Sequence, residues 1–293
     1  MKSPHLPVLL KEVLAVFEGK ILTVFFEGTV GAGGHAKAIL EAHPEIEKYL
    51  ACDRDPKALT LAQAALEPWG KKVEWIHGPF AELHAYLAER GRKSMDGFLI
   101  DIGVSSMQLD ERERGFSFLG DAPLDMRMNP EGQLTAEKIV NRYGETELAR
   151  ILFEYGEERR SRQVAKAIVE ARKKKRIRTT RELVKIIEPF ATKGKLHPAT
   201  LTFQALRIAV NDELGQLQKG LLSAIENISI GGRIAVIAFH SLEDRIVKNI
   251  LRDQKSQLEI LTKKPVEASA EEMRINPRSR SAKLRAAEKR GEL

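Results

Sequence analysis

Residues 25–36 read Phe25-Phe26-Glu27-Gly28-Thr29-Val30-Gly31-Ala32-Gly33-Gly34-His35-Ala36, and no other stretch constrains the fold as much. An apolar run, Ile21 to Phe26, feeds a glycine-rich turn, and a helical pattern follows. Strand, loop and helix in that order build a nucleotide pocket at the carboxyl end of the first strand of an open α/β sheet. The glycines let the backbone turn sharply and admit a ligand where a Cβ would intrude.

The loop alone leaves three readings open. Gly31-x-Gly33-x-x-Ala36 satisfies the dinucleotide fingerprint. The same kind of loop holds S-adenosylmethionine, and a plain strand-to-helix turn produces similar letters. Asp53 narrows the choice. It closes the next apolar run, in Ala51-Cys52-Asp53-Arg54-Asp55-Pro56, about 20 residues beyond the loop, where an acid accepts hydrogen bonds from a ribose. Asp55 reads instead as the cap of a helix opening at Pro56.

Strand and helix patterns alternate through the first hundred residues. Strands are expected at 21–27, 48–53, 73–76 and 96–102, with helices at 36–42, 56–66 and 81–90. From about Met107 to about Val210 only helices and loops are expected, including a capping box at Thr179-Thr180-Arg181-Glu182. Alternation resumes with a turn at Gly231-Gly232, a buried strand to Phe239, a helix over 243–251 and a strand near 258–262. Residues 282–286 suit a last edge strand, and the polar, basic tail from Glu267 suits a partly mobile segment. The economical architecture is α/β: a doubly wound, mostly parallel sheet of residues 1–106 and 211–293, interrupted by a helical insert at 107–210.

No apolar stretch is long enough to span a membrane. Met1 to Val13 lacks the features of a signal or transit peptide, so the expected compartment is the cytoplasm. The one cysteine, Cys52, excludes an internal disulfide. Metal chemistry is not expected, because the histidines show no ligand spacing. The net charge of +7 is unevenly spread. Residues 159–178 hold ten basic side chains and one acid, and residues 274–290 hold seven and one. Both clusters suit a polyanion partner, and solvated helix faces are the plainer account. They contain few aromatics, which favours backbone contact over base stacking there.

Asp101 ends the fourth strand pattern, in Leu99-Ile100-Asp101-Ile102-Gly103. A carboxylate at a strand's carboxyl end faces the ligand crevice of such a fold, and an acid after three apolar residues needs a partner or a purpose. Phe80, after the third strand, reads as core from its placement.

Several further strings occur in order. They are His5-Leu6-Pro7-Val8-Leu9-Leu10-Lys11-Glu12, Asp101–Gln108, Arg114-Gly115-Phe116-Ser117-Phe118, Pro123-Leu124-Asp125-Met126-Arg127-Met128, His197-Pro198-Ala199-Thr200, Phe203-Gln204-Ala205-Leu206-Arg207-Ile208, Phe239-His240-Ser241-Leu242-Glu243-Asp244-Arg245 and Asn276-Pro277-Arg278-Ser279-Arg280-Ser281. With the Gly28–His35 loop they make the chain resemble, from His5 to about Glu288, the bacterial RsmH (MraW) family of S-adenosylmethionine-dependent methyltransferases of small-subunit ribosomal RNA. The resemblance implies a Rossmann-like class I methyltransferase fold. It implies transfer of a methyl group to the exocyclic N4 of a cytidine in the decoding centre (P site) of 16S ribosomal RNA. It implies cofactor contacts from Gly33, Gly34, His35, Asp53, Phe80, Asp101 and Gln108; Phe80 and Gln108 enter on the resemblance alone.

Asp101 is the candidate beside the reacting atoms. Asp125 and His240 are candidates for contact with the base, because neither motif has a simple structural need. Lys173, Lys174 and Lys175 are candidates for RNA contact. Three departures from the family pattern stand out: Glu27 for the usual Asp, Met107 for Pro and Leu201 for Arg. The expected partner is 16S ribosomal RNA, with no membrane. Naked RNA or assembled small subunit, and monomer or homodimer, stay open.

Overall fold

Side-chain alternation explains the sheet. In the computed structural model, which describes residues 6–190 and 197–291, the chain runs α1 Leu10–Phe17, β1 Val24–Glu27, α2 Gly34–Ala42, β2 Lys48–Asp53, α3 Pro56–Ala65, β3 Val73–His77, α4 Leu83–Glu89, β4 Met95–Asp101. There follow α5 Ser106–Asp110, α6 Ala136–Arg142, α7 Glu145–Gly156, α8 Ser161–Lys174, α9 Thr180–Ile187 and α10 Thr200–Asn211. Then come α11 Glu213–Asn227, β5 Ile228–Ala238, α12 Ser241–Asp253, β6 Leu258–Ile260, β7 Val266–Glu267, α13 Ala270–Ile275 and β8 Lys283–Lys289. His5 of the first family-like string lies outside the described residues. Among the described residues no helix is long and apolar enough to cross a membrane.

The chain divides into two compact units: residues up to Gly103 with those from Leu214 onward, and Val104–Glu213. The first unit holds one eight-stranded sheet in the order β3-β2-β1-β4-β5-β8-β6, with β7 also paired to β8. Strands β1 to β5 are parallel, and β8 is antiparallel to β5, β6 and β7. Phe25, Tyr49, Leu99, Ala235 and Ile237 pack into one core cluster. Their chain neighbours Phe26, Leu50, Phe98, Ile100 and Val236 pack into another. Because successive strand residues face opposite ways, such continuous apolar runs serve a sheet covered on both faces. The second unit has its own core, with Leu148, Ile151 and Leu152 of α7 clustered with Ile168 of α8 and Phe203 and Leu206 of α10.

One expectation about the tail is overturned. Residues 282–286 were expected at a sheet edge, but β8 lies between β5 and β6. Arg285 lies within that strand. It is only 7% exposed and is neutralised by Asp244 in the first turn of α12, at 2.7 and 3.1 Å. The tail from Glu267 holds the end of β7, then α13 and β8. Two more of its basic residues have structural partners: Lys289 donates to the Ile225 carbonyl and to Gln257, and Lys283 lies 4.0 Å from Asp244. Two strand boundaries also move. β1 starts at Val24, leaving Ile21 83% exposed. β5 runs through the glycine pair, but its register with β4 passes from Met95↔Ile228 to Gly97↔Arg233 and Gly231 adopts φ +76, so the expected change of direction lies inside the strand.

Candidate active site

The crevice forms where the strand order reverses, between β1 and β4. The glycine loop there is held by backbone and by Asp53. Gly31 and Gly33 adopt φ +54 and +83, a left-handed region that side chains with a Cβ avoid. One Asp53 oxygen accepts from the Gly31 N–H at 2.9 Å and the other from the Asp55 N–H at 2.9 Å. Each oxygen keeps a second lone pair for a ligand. Asp55 caps α3 through the Lys57 N–H, as its position before Pro56 indicates. Gly34 opens α2, and a Cβ on it would come within 3.3 Å of Pro7.

Four carboxylates gather along this rim. Glu27 ends β1, Asp53 ends β2, Asp101 ends β4 and Glu243 lies in the first turn of α12 after β5. Glu27 is 1% exposed and accepts from the Tyr49 hydroxyl at 2.7 Å. Its other oxygen, Oε1, and Oδ1 of Asp101 are buried and accept no hydrogen bond among the described residues. The Asp101 backbone N–H donates to the Thr29 hydroxyl at 2.8 Å, tying β4 to the loop. His35 Nε2 lies 2.9 Å from the Val8 carbonyl. A carbonyl only accepts, so Nε2 carries a proton there. Nδ1 of His35 faces Asp101 Oδ2 at 3.9 Å.

Burial pushes the Asp101 carboxyl up to about 8, with the Glu243 charge adding to the rise. Burial also raises Glu27 to about 8, against the Tyr49 hydrogen bond and reinforced by the charges of Asp101 and Asp53. Asp53 is raised by burial to about 6, although the N–H groups of Asp55 and Gly31 pull it down. A raised carboxyl pKa means that the folded state binds more protons than the unfolded one between the two values. Stability of the cofactor-free protein is therefore expected to fall as pH rises from about 5 to about 8. Thermal unfolding across that range should show the decline, and Asp101→Asn and Glu27→Gln should each flatten it.

The remaining candidates are placed differently. Phe80 is 7% exposed within the core cluster that holds Leu83, Ile100 and Leu217. It is tight between two glycines: a Cβ on Gly28 would lie 2.7 Å from Phe80 Cβ, and one on Gly220 would lie 2.3 Å from its ring. Gln108 belongs to the second unit, where it closes a capping box with Ser105 at the start of α5.

Asp125, also in that unit, holds Arg127 through both oxygens at 2.8 and 2.7 Å. Burial would raise Asp125, but the hydrogen bonds from Arg127 outweigh it and keep the carboxyl below its ordinary value. His240 is the N-cap of α12 and accepts from the Glu243 N–H. So Asp125 and His240 both have structural work, which removes the reason for singling them out. Lys173 and Lys174 are exposed in the last turn of α8, while Lys175 pairs with Glu182 at 2.6 Å. A groove of about 650 Å³ in the second unit is lined by Asp121, Pro123, Glu137, Arg176 and Arg178. No group of three His, Cys, Asp or Glu among the described residues is arranged to hold a metal ion.

Glu27 stood out in the sequence only as a departure from a pattern, and Tyr49, Thr29 and Glu243 not at all. A capping-box Glu three residues after His240 was the one local signal for Glu243.

Residues 2–290 match the model of the MraW methylase family. The chain is 47% identical over 311 residues to the ribosomal RNA small subunit methyltransferase H of Heliobacterium mobile, covering 99% of this chain and 100% of that one. It is 49% identical over 310 residues to the protein of the same name from Geobacter sulfurreducens, again covering 99% and 100%. Among solved structures it is similar to an rRNA methylase from Streptococcus thermophilus (TM-score 0.47, 9% identity, 96% and 95% of the two chains). It is also similar to the N-methyltransferase NodS from Bradyrhizobium japonicum (TM-score 0.45, 8% identity, 96% and 94%).

Proposed function

We propose, because this chain belongs to the MraW methylase family, that it methylates the exocyclic N4 of a cytidine in the decoding centre (P site) of 16S ribosomal RNA, with S-adenosylmethionine as donor. The observation that carries the reading is the pair of buried, unsatisfied carboxylate oxygens, Asp101 Oδ1 and Glu27 Oε1, at adjacent strand ends. Buried acids held partly protonated are suited to a cationic or hydrogen-bond-donating ligand, which restores their ionised form. The cofactor carries an ammonium, a sulfonium and ribose hydroxyls, so these residues fit it. When bound, it supplies an electrophilic methyl group.

The chain's own residues then have distinct tasks. Asp53 fixes the Gly31 turn and offers spare lone pairs to the ribose hydroxyls. Gly33 and Gly34 keep the start of α2 clear of side chains. Thr29 fixes the end of β4, so Asp101 is held in position. The N4 lone pair of cytosine is delocalised into the ring, which makes it a poor nucleophile. Asp101 accepts from the N4 amine hydrogens, turns the lone pair toward the methyl and stabilises the positive charge that develops on nitrogen. Phe80 supports the loop from beneath, through Gly28. The target base leaves its stack to reach Asp101, and the second unit binds the RNA around it.

Of the ten basic residues at 159–178, Arg159, Arg160, Arg162, Lys173, Lys174 and Arg178 are exposed and make no ion pair among the described residues. Changing Lys173 and Lys174 to Gln is expected to weaken RNA binding and to lower the salt slope by roughly 1.5, at about 0.7–0.9 per phosphate contact. Affinity measured across a salt series checks this. The function itself is tested by mass spectrometry of small-subunit ribosomal RNA from a deletion strain, with and without the protein added back. A cytidine that lacks its N4 methyl in the deletion and regains it on addition is the expected result. An unchanged methylation pattern would sink the proposal.

A further inference from the structure

The second unit presents an aromatic stack that none of the steps above employs. The rings of Phe118 and His197 lie 4.5 Å apart with planes 13° apart. Phe203 meets Phe118 edge-on at 5.4 Å and 82°, and Phe203 is 4% exposed in the unit's core. The stack is thus anchored from below, while His197 is exposed at its outer end. His197 Nδ1 accepts from the Ala199 N–H at 3.2 Å. The imidazole is held by Phe118 on one face and by Ala199 in its plane, without being buried.

Two neighbours add to the picture. Leu119, next to Phe118 in the chain, is 87% exposed, the highest value among the exposed large hydrophobic residues. Arg112 runs beside Gly120, whose Cβ would lie 3.8 Å from Arg112 Cδ. The Arg112 side chain is exposed and makes no ion pair among the described residues. The His197 ring ordered by Phe118, the apolar side chain of Leu119 and the unengaged guanidinium of Arg112 match a single-stranded nucleotide. Its base offers a π face and its phosphate an anion.

We propose that His197, backed by Phe118, is the stacking platform for an unpaired base of the substrate RNA, with Arg112 on that nucleotide's phosphate. His197 is a positioning residue: it holds RNA and touches no reacting atom. The inference rests on the reading of ribosomal RNA as substrate.

The test uses the full chain, S-adenosylhomocysteine and a small-subunit ribosomal RNA fragment carrying 2-aminopurine at single unpaired positions other than the target, at pH 8. Stacking quenches that base. One of these positions is expected to be quenched on binding. His197→Ala should lose the quench and weaken RNA binding about tenfold, with S-adenosylhomocysteine affinity and unfolding midpoint unchanged. His197→Phe keeps a ring and should restore both signals. Arg112→Ala should weaken binding and lower the salt slope by about 0.7 while keeping the quench.

The proposal is overturned if His197→Ala binds and quenches like the parent, or if His197→Phe fails as His197→Ala does, which would assign the loss to the Ala199 hydrogen bond. Should His197→Ala not fold, the Phe and Arg112 variants still decide. A parent protein that binds S-adenosylhomocysteine but no RNA overturns this proposal together with the reading beneath it. A parent that binds and quenches while every variant matches it overturns this proposal alone.

Discussion

Replacing Asp101 by Asn is expected to lower methyl transfer about a hundredfold, the scale on which a single group that stabilises developing charge is worth. The change is nearly isosteric. It leaves the backbone link to Thr29 intact, because that bond uses the Asp101 N–H. It removes only the charge and one acceptor, and an Asn can present its NH2 to the N4 amine, donor against donor. Burial holds Asp101 up to about 8, so near neutral pH the empty protein keeps this group largely protonated and a cation must draw the proton off. Single-turnover transfer of a labelled methyl group measures the loss. Calorimetry with S-adenosylhomocysteine, which lacks the sulfonium charge, separates it from a binding defect. Full turnover in the variant would take Asp101 away from the reacting atoms.

The second large effect is structural. Gly115→Ala is expected to cost about 3 kcal/mol, the upper end for forcing atoms into a filled space. Gly115 has φ +70. A Cβ there would lie 2.2 Å from the Pro123 carbonyl oxygen and 3.0 Å from the Asp125 nitrogen. Both are backbone atoms, so no rotamer relieves the collision. Nor can the opposing segment withdraw. The Leu124 N–H donates to the Arg178 carbonyl, the Met126 N–H to the Arg114 carbonyl and the Ala136 N–H to the Asp125 carbonyl. Gly19→Ala is the control: Gly19 also has positive φ, at +71, but nothing lies within 4 Å of its Cβ position. It should lose only the conformational part, about 1 kcal/mol. Denaturant unfolding of the two variants gives both values.

Much of the sheet was readable in the chain because its information is local. The glycine loop, the spacing to Asp53, Pro56 after Asp55 and the apolar run before Asp101 each carry their meaning within a few residues. What could not be read depends on distant partners. Arg285 is buried in β8 because Asp244, 41 residues away, neutralises it. Glu288 is accounted for by Arg233 and Lys20 at 2.8 Å each. Glu27 looked like a mere lengthening of an acid, and its hydrogen bond to Tyr49 crosses to the neighbouring strand. Asp125 and His240 drew notice because their motifs lacked an obvious use, and the use is Arg127 in one case and the α12 cap in the other. Helices α1 and α11 fell outside the alternation that made the rest visible.

The insertion of β8 has a consequence for how the protein is made. A nascent chain halted between Ile260 and Lys283 has β5 and β6 without the strand that joins them. The apolar stretch at Ile234–Ala238 then offers its open hydrogen-bonding edge to any passing polypeptide. Truncated products would be prone to clump and to be degraded, so premature termination is expected to yield little soluble protein, even when every residue of the donor-binding rim has been translated.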